Sequence, residues 1–332
     1  MGRYISFVAL AAALAAPASA ETLRDALAKA YRDNPTITAG RAQQRATDEN
    51  VPIAKASGRP NVSATGSVTE NFVRTGNSFT TPERVAQGGV SLNVPLFSGG
   101  AVRNAVRAAE TRVDAGQAAL RGTEAATFTN VVSAYNNVLR DEAIVSLNAQ
   151  NVKVLETNLQ AARDRFQVGD LTRTDVAQSE ARLSVARAQL QGVQANLIGS
   201  REIYVQLVGE APQALEPPPP LPNLPNTPDT AVDVALQDNP TLIAARRQRD
   251  ATRYDVKVAQ AARLPTVGVG VGENYTNYLG SLGTGSGLGV GQTGASTSIG
   301  LNVSLPLFQG GRPAAQIRQA QALRSQAIEN AT

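Results

Sequence analysis

No proline interrupts residues 96–211, a run of 116 positions between Pro95 and Pro212. Proline removes an amide donor and clashes inside a helix, so its absence over such a span permits very long helices. The first arm, residues 101–168, is rich in Ala, Arg, Gln, Glu and Leu, which are good helix formers. At 1.5 Å per residue it would reach ~100 Å, far more than a globular domain needs. Gly169-Asp170 is a helix-stop signal, and Thr172 or Thr174 can cap the helix that follows. In the second arm Val176, Leu183, Leu190, Leu197 and Tyr204 recur at heptad spacing. Near the turn the first arm carries Val152, Leu155, Leu159, Ala162 and Phe166, alternately three and four apart. Each arm thus has an apolar seam, and two seamed arms joined by a short turn predict an antiparallel helical hairpin. Taken alone, the pattern also fits an ordinary soluble coiled coil.

What the chain lacks narrows its chemistry. It contains no Cys and no His, which excludes disulfides, Cys/His zinc sites, Ser-His-Asp triads and Cys-His dyads. Carboxylate or Ser-Lys chemistry stays open in principle, but the Asp and Glu residues sit beside Arg, Lys or Gln along helical turns and read as solvated faces. No catalytic, cofactor-binding or metal-binding residue is expected. With 7 Tyr, 7 Phe and no Trp in 332 residues, the composition suits thin helix–helix seams better than one thick core. The formal net charge of +4 is spread among acids and leaves no nucleic-acid footprint.

Residues 1–20 read as a secretory leader: Arg3 supplies the positive start, residues 5–16 the apolar run, and Ala18-Ser19-Ala20 the small-residue cleavage site. The mature protein would start at Glu21 and live outside the cytoplasm. Residues 21–57 are helical in pattern, with Leu23, Ala26, Ala30 and Tyr31 on one face. Asp33-Asn34-Pro35 punctuates them, and a second helix runs to about Gly58-Arg59-Pro60.

The period then changes to two. Val62, Ala64, Gly66 and Val68 alternate with Asn61, Ser63, Thr65, Ser67 and Thr69; from Gly89, Val90, Leu92, Val94 and Leu96 alternate with Ser91, Asn93 and Pro95. These predict two strands of about ten residues, the length that spans a bilayer when one face meets lipid and the other a wet lumen. After the helical hairpin, residues 211–229 hold the run Pro217-Pro218-Pro219-Pro220, which predicts a stiff extended strap on the surface rather than packed structure.

The second half repeats the first. Asp33-Asn34-Pro35-Thr36 returns as Asp238-Asn239-Pro240-Thr241, an offset of 205, and Pro95-Leu96-Phe97-Ser98-Gly99-Gly100 returns as Pro306-Leu307-Phe308-Gln309-Gly310-Gly311, an offset of 211. Val267, Val269 and Val271 predict a third strand. Ala295, Thr297, Ile299, Leu301, Val303 and Leu305 predict a fourth, against Ser296, Ser298, Gly300, Asn302 and Ser304. Residues 274–294 between them are Gly-rich and read as a flexible external loop; no Lys-Ser/Thr follows to make a phosphate cradle. The lumen candidates are therefore Asn61, Ser63, Thr65, Ser67, Ser91, Asn93, Ser296, Ser298, Asn302 and Ser304. By the logic of the repeat, roughly 90 residues of a second long hairpin are expected beyond Thr332.

Four strands cannot close a barrel around water, and an open edge in lipid leaves backbone groups unsatisfied, so other copies must complete it. With the signal peptide, the Asn34-Pro35 and Asn239-Pro240 repeats, the Pro-Leu-Phe strand ends followed by Gly-Gly, and the turn Phe166-Gln167-Val168-Gly169 with Thr174-Asp175, the chain resembles the TolC-type outer-membrane efflux protein family. The resemblance covers residue 21 to the end. It implies an α+β membrane protein with a two-fold internal repeat. Four transmembrane β-strands per protomer would contribute to a trimeric 12-stranded barrel, continued by a coiled-coil α-barrel of antiparallel periplasmic hairpins.

The expected organisation is then a leader at 1–20, periplasmic helices at 21–59, a transmembrane hairpin at 60–97, the long helical hairpin at 98–210 and the strap at 211–229. Repeat-two helices follow at 230–264, a second transmembrane hairpin at 265–308 and the start of a second long helix at 309–332. Family members are passive exit ducts, not enzymes. They act as homotrimers in outer-membrane lipid, docked through a periplasmic membrane-fusion adaptor to an inner-membrane pump or ABC transporter. The resemblance implies that Val168, Gly169, Asp170, Leu171 and Thr172 form the adaptor-contact tip and that Thr174 and Asp175 help hold the tunnel entrance shut. Asp170 stands where the family usually has Leu. The opposing reading, a secreted coiled-coil adaptor or structural protein, explains the helices but not two copies of paired strands.

Overall fold

A computed structural model describes residues 21–72, 82–220, 224–281 and 291–332. The expected leader and parts of the two strand-to-strand connections lie outside those residues. Among them the order is α1 (Leu23–Asp33), α2 (Pro35–Asp48), α3 (Asn50–Ala56), β1 (Asn61–Glu70), β2 (Arg84–Ser98), α4 (Ala101–Gln167), α5 (Arg173–Val208), α6 (Pro228–Asp238), α7 (Pro240–Ala261), β3 (Thr266–Asn277), β4 (Thr293–Ser304) and α8 (Arg312–Glu329).

The repeat is structural. Shifting α1 by 205 gives the bounds of α6, and shifting the start of α4 by 211 gives the start of α8. The Asn-Pro motif works the same way in both halves. Pro35 and Pro240 take the first helical position, where no amide donor is needed. The Asn34 and Asn239 side chains accept from the amides of Thr36 and Thr241, each at 2.9 Å. One expectation fails in detail. The single helix predicted up to residue 58 is two, α2 and α3, because Pro52 has no N–H to offer the Asp48 carbonyl and the ladder breaks at Glu49.

The chain divides into two compact units, residues 1–39 with 123–225, and residues 40–122 with 226–332. In the first, α1 lays Ala26 and Ala30 against Val131, Ala134, Tyr135 and Val138 of α4 and Tyr204 and Val208 of α5. Toward the turn the seam continues as Val152, Leu155 and Leu159 facing Leu183, Ala186 and Leu190. Ion pairs flank this seam: Arg201 with Glu142 at 2.8 Å, Arg187 with Glu156 at 2.7 Å and Arg163 with Glu180 at 2.6 Å. Their positions step by whole heptads along both helices, in opposite directions, so one antiparallel register satisfies all three. Asp141 is buried on the same helix pair. It accepts from Ser200 Oγ at 2.5 Å and from Arg140 at 2.8 Å, and the Ser200 hydroxyl chiefly holds its carboxyl below the usual range.

The strap is less detached than its prolines suggest. Glu21 pairs in parallel with Leu215: its amide donates to the Ala214 carbonyl at 2.8 Å, and its own carbonyl accepts from the Glu216 amide at 3.1 Å. The buried Tyr135 hydroxyl lies 2.8 and 2.6 Å from the carbonyl oxygens of Glu21 and Glu216 and shares its one proton between them. Lys29 bridges Glu210 at 2.7 Å and Glu21 at 2.9 Å, which raises the pKa of its ammonium. The expectation of an unpacked strap is therefore corrected at residues 214–216. An extended backbone leaves N–H and C=O groups open, and Glu21, just ahead of α1, supplies their partners.

In the second unit β1, β2, β3 and β4 form one antiparallel sheet in that order. Both outer strands, β1 and β4, are exposed along their whole length. Pro95 cannot donate to the ladder, and the register shifts between Pro95 and Phe97. β3 continues to Asn277, so residues 274–277, expected as loop, are strand; Tyr275 pairs with both Gly88 and Ala295. Near the sheet Arg112 of α4 pairs with Asp255 of α7 at 2.5 Å. Among the described residues no helix is long and apolar enough to cross a membrane.

Candidate functional site

The registers decide which side chains share a face. Asn61 pairs with Asn93, Ser63 with Ser91 and Ser67 with Gln87. Across the next seam Asn93 faces Gly270 and Ser91 faces Gly272. Across the last, Gly272 faces Ser298, Asn274 faces Ser296, Gly268 faces Asn302 and Thr266 faces Ser304. Because side chains alternate, these pairings put all ten lumen candidates on one face of the sheet. Sequence reasoning missed Gln87, Asn274 and Thr276 on that face, the last two because the Gly-rich surroundings suggested a loop. Ser63 and Ser91 share a hydrogen bond at 2.8 Å between their hydroxyls. A trough of about 720 Å³ opens along this face, lined by Ser91, Asn93, Gly270, Ser298 and Asn302 among others.

The opposite face is apolar in continuous rows. Val62, Leu92, Val271 and Ile299 form one, and Val269 with Leu301 and Val267 with Val303 extend it toward the helices. The outer-strand members have no cover: Val62 is 66% exposed, Ile299 77% and Leu301 64%, while Leu92, Val267, Val269 and Val271 on the inner strands are half-buried. Contiguous exposed apolar surface of this kind needs an apolar partner phase. Polar exceptions on this face include Glu273, which accepts from Thr297 Oγ1 at 3.3 Å, the Arg84–Glu70 pair at the strand ends, and Asn277 opposite Thr293.

The second candidate site is the hairpin tip. Helix α4 ends in a left-handed Gly169, φ +83°. The Gly169 amide donates to the Phe166 carbonyl at 3.0 Å and the Asp170 amide to the Arg165 carbonyl at 2.9 Å, the pattern that closes a helix C-terminus around glycine. Asp170 adds a side-chain clasp, accepting from Arg165 Nε at 2.8 Å. Val168 is left standing out at 81% exposure. Of the two threonines offered as caps, the structure selects Thr172. Its hydroxyl accepts from the Asp175 amide at 3.3 Å, and the Asp175 carboxylate accepts from the Thr172 amide at 2.9 Å and hydroxyl at 2.7 Å. The Thr172 hydroxyl is the main reason the Asp175 carboxyl lies below its ordinary pKa. Thr174 sits in the first turn of α5, exposed.

Comparison with known proteins agrees with this geometry. The family model described as "Outer membrane efflux protein" matches residues 26–210 and 231–332. The outer membrane efflux protein BepC of Brucella suis is 38% identical over 310 residues, 93% of this chain and 66% of that protein. The alkaline protease secretion protein AprF of Pseudomonas aeruginosa is 29% identical over 201 residues, 58% of this chain and 40% of that protein. The chain thus spans between two-fifths and just under two-thirds of the length of these relatives. Among solved structures, the outer membrane channel CmeC of Campylobacter jejuni superposes with a TM-score of 0.75 at 18% identity, over 93% of this chain and 66% of that one. The outer membrane protein VceC of Vibrio cholerae gives 0.72 at 22% identity, over 93% and 74%. With the four-stranded two-faced sheet, the long hairpin and the internal repeat all in place, this outer-membrane chain belongs to the outer membrane efflux protein family.

Proposed function

We propose that the protein is the outer-membrane exit duct of a tripartite efflux pump or type I secretion system, a passive conduit rather than an enzyme. The observation that carries this is the sheet: four strands with one polar and one apolar face, and two outer strands exposed throughout. In hydrocarbon every unpaired backbone group costs several kcal/mol, so such a sheet is viable only when copies join edge to edge. Three copies give twelve strands, and their polar faces then line a water-filled lumen. The names of the relatives, one an efflux protein and one a protease secretion protein, support export and leave drugs and polypeptides both open as cargo.

In this reading residues 168–172 meet a periplasmic adaptor that joins the duct to an inner-membrane pump or ABC transporter. Val168 offers the apolar contact, and the Arg165–Asp170 clasp holds the turn in shape. Thr174 and Asp175 belong to the entrance gate; Asp175 already caps its own helix, so a gating contact would use the lone pairs that remain. The test is membrane fractionation with gel mobility before and after heating, followed by reconstitution in planar lipid bilayers. A heat-sensitive oligomer in the outer membrane that conducts ions in steps is the expected result. A monomer in the soluble periplasmic fraction overturns the reading.

A further inference from the structure

Glycine in a strand interior weakens it and calls for a reason. Gly89, Gly268 and Gly270 sit in the sheet on the polar face, and none has a positive φ, so their backbone conformation does not require glycine. At Gly89 the neighbours supply the reason. A Cβ on Gly89 would stand 2.7 Å from Oδ1 of Asn274 on the next strand, well inside contact distance, and 3.2 Å from the Glu273 carbonyl, a tight contact. A Cβ on Gly270 would meet Asn302 Nδ2 at 3.4 Å, and one on Gly268 would meet Asn93 Oδ1 at 3.4 Å. Asn93, Asn274 and Asn302 thus each lie beside a glycine of an adjoining strand, and only at Gly89 is the contact too close for a Cβ; Asn61 pairs with Asn93 instead.

We infer that Gly89 is a seat that holds Asn274 flat against the wall, and that this pair sets the bore of the duct at that level. This rests on the duct reading above. A side chain that lies across a vacant Cβ position keeps its amide as a polar lining without spending cross-section. Filling the seat forces the amide up into the channel, and an assembly of three copies repeats that intrusion three times around the ring. The pair is therefore a size determinant for whatever passes, acting through sterics. No ionisable side chain takes part in it.

Neutral polyethylene glycols of graded size, added from the side of the strand-to-strand connections, test this on the protein expressed from its whole reading frame in planar bilayers. That side samples the sheet before any constriction in the helices. Gly89→Ala is expected to lower the largest polymer size that enters, Gly89→Ala with Asn274→Ala to restore it, and Asn274→Ala alone to leave it at the wild-type value. A wild-type cut-off in Gly89→Ala, or a larger one in Asn274→Ala alone, overturns the seat. Should Gly89→Ala fail to assemble, recovery of assembly in Gly89→Ala with Asn274→Ala supports the seat, and failure of the double variant to recover overturns it. A wild-type protein that gives no conductance steps instead defeats the duct reading, a separate outcome.

Discussion

Glu156 of α4 accepts a hydrogen bond from Arg187 of α5 at 2.7 Å, and one heptad nearer the turn the charges are exchanged, Arg163 on α4 and Glu180 on α5. All four side chains are at least 46% exposed, so each pair contributes well under about 1 kcal/mol and discriminates registers more than it stabilises one. Glu156→Arg is expected to lower hairpin stability by about 0.5–1 kcal/mol, mostly through the new repulsion. Adding Arg187→Glu should recover it. Thermal melts at low and high salt check both, since the loss should shrink as salt rises.

The capping box at the turn predicts a pH effect confined to one end of α5. The Asp175 carboxyl is held low chiefly by the Thr172 hydroxyl, so its contribution is present above the unfolded carboxylate pKa and is lost as pH falls through the folded value. Acidification should therefore lower the amide protection factors, taken against the intrinsic exchange rate at each pH, at residues 173–176 before it affects the middle of the hairpin. Thr172→Ala should produce the same fraying at neutral pH, at about 1 kcal/mol. Unchanged exchange in that variant would remove the cap from the account.

Two buried tyrosines face each other across the base of the hairpin with opposite expectations. Tyr135 shares its hydroxyl proton between two backbone carbonyls, those of Glu21 and Glu216. Tyr204 buries its hydroxyl beside the Glu21 carboxylate with no well-formed hydrogen bond among the described residues, and burial first, then the Glu21 charge, push its pKa up. Tyr135→Phe strands acceptors and should cost about 1 kcal/mol, whereas Tyr204→Phe removes an unmatched donor and should be neutral or mildly stabilising. Denaturant midpoints of the two variants give the comparison.

Neighbours on β4 separate the faces of the sheet. Ile299 lies in an apolar row with Val271, and Ser298 opposite Gly272 on the polar face. Under the duct reading, Ile299→Arg puts a charge in lipid and should cost about 2–4 kcal/mol near the bilayer midplane, seen as loss of the folded band on gels. Ser298→Arg should fold normally and shift ion selectivity toward anions, read from reversal potentials in a salt gradient. Equal behaviour of the two variants would contradict the assignment of faces.

Much of this architecture was legible in the residue order. The offsets of 205 and 211 reproduce the starts of α6 and α8, and the period-two alternation placed ten polar residues on one face that the registers join. What escaped was local or relational. Residues 274–277 looked like loop because glycine and asparagine dominate around them, yet β2 and β4 supply partners for every rung. Pro52 breaks a pattern that is helical on both sides of it, and the pattern alone does not show the break. The docking of residues 214–216 onto Glu21 involves backbone groups, which leave no trace in side-chain patterns. The glycine seat depends on which strand lies beside which, information that exists only once the sheet is assembled.

The two uncovered outer strands also bear on the protein's life before it reaches its destination. A newly exported copy carries rows of unmatched N–H and C=O groups along β1 and β4, next to bare valines and isoleucine. Such margins stick indiscriminately to other extended chains. Under the duct reading, transit across an aqueous compartment therefore demands an escort that shields those margins, or a delay in forming the strands until siblings are at hand. Under that same reading, cellular supply of the protein is governed by how quickly copies find one another, as much as by how quickly they are made.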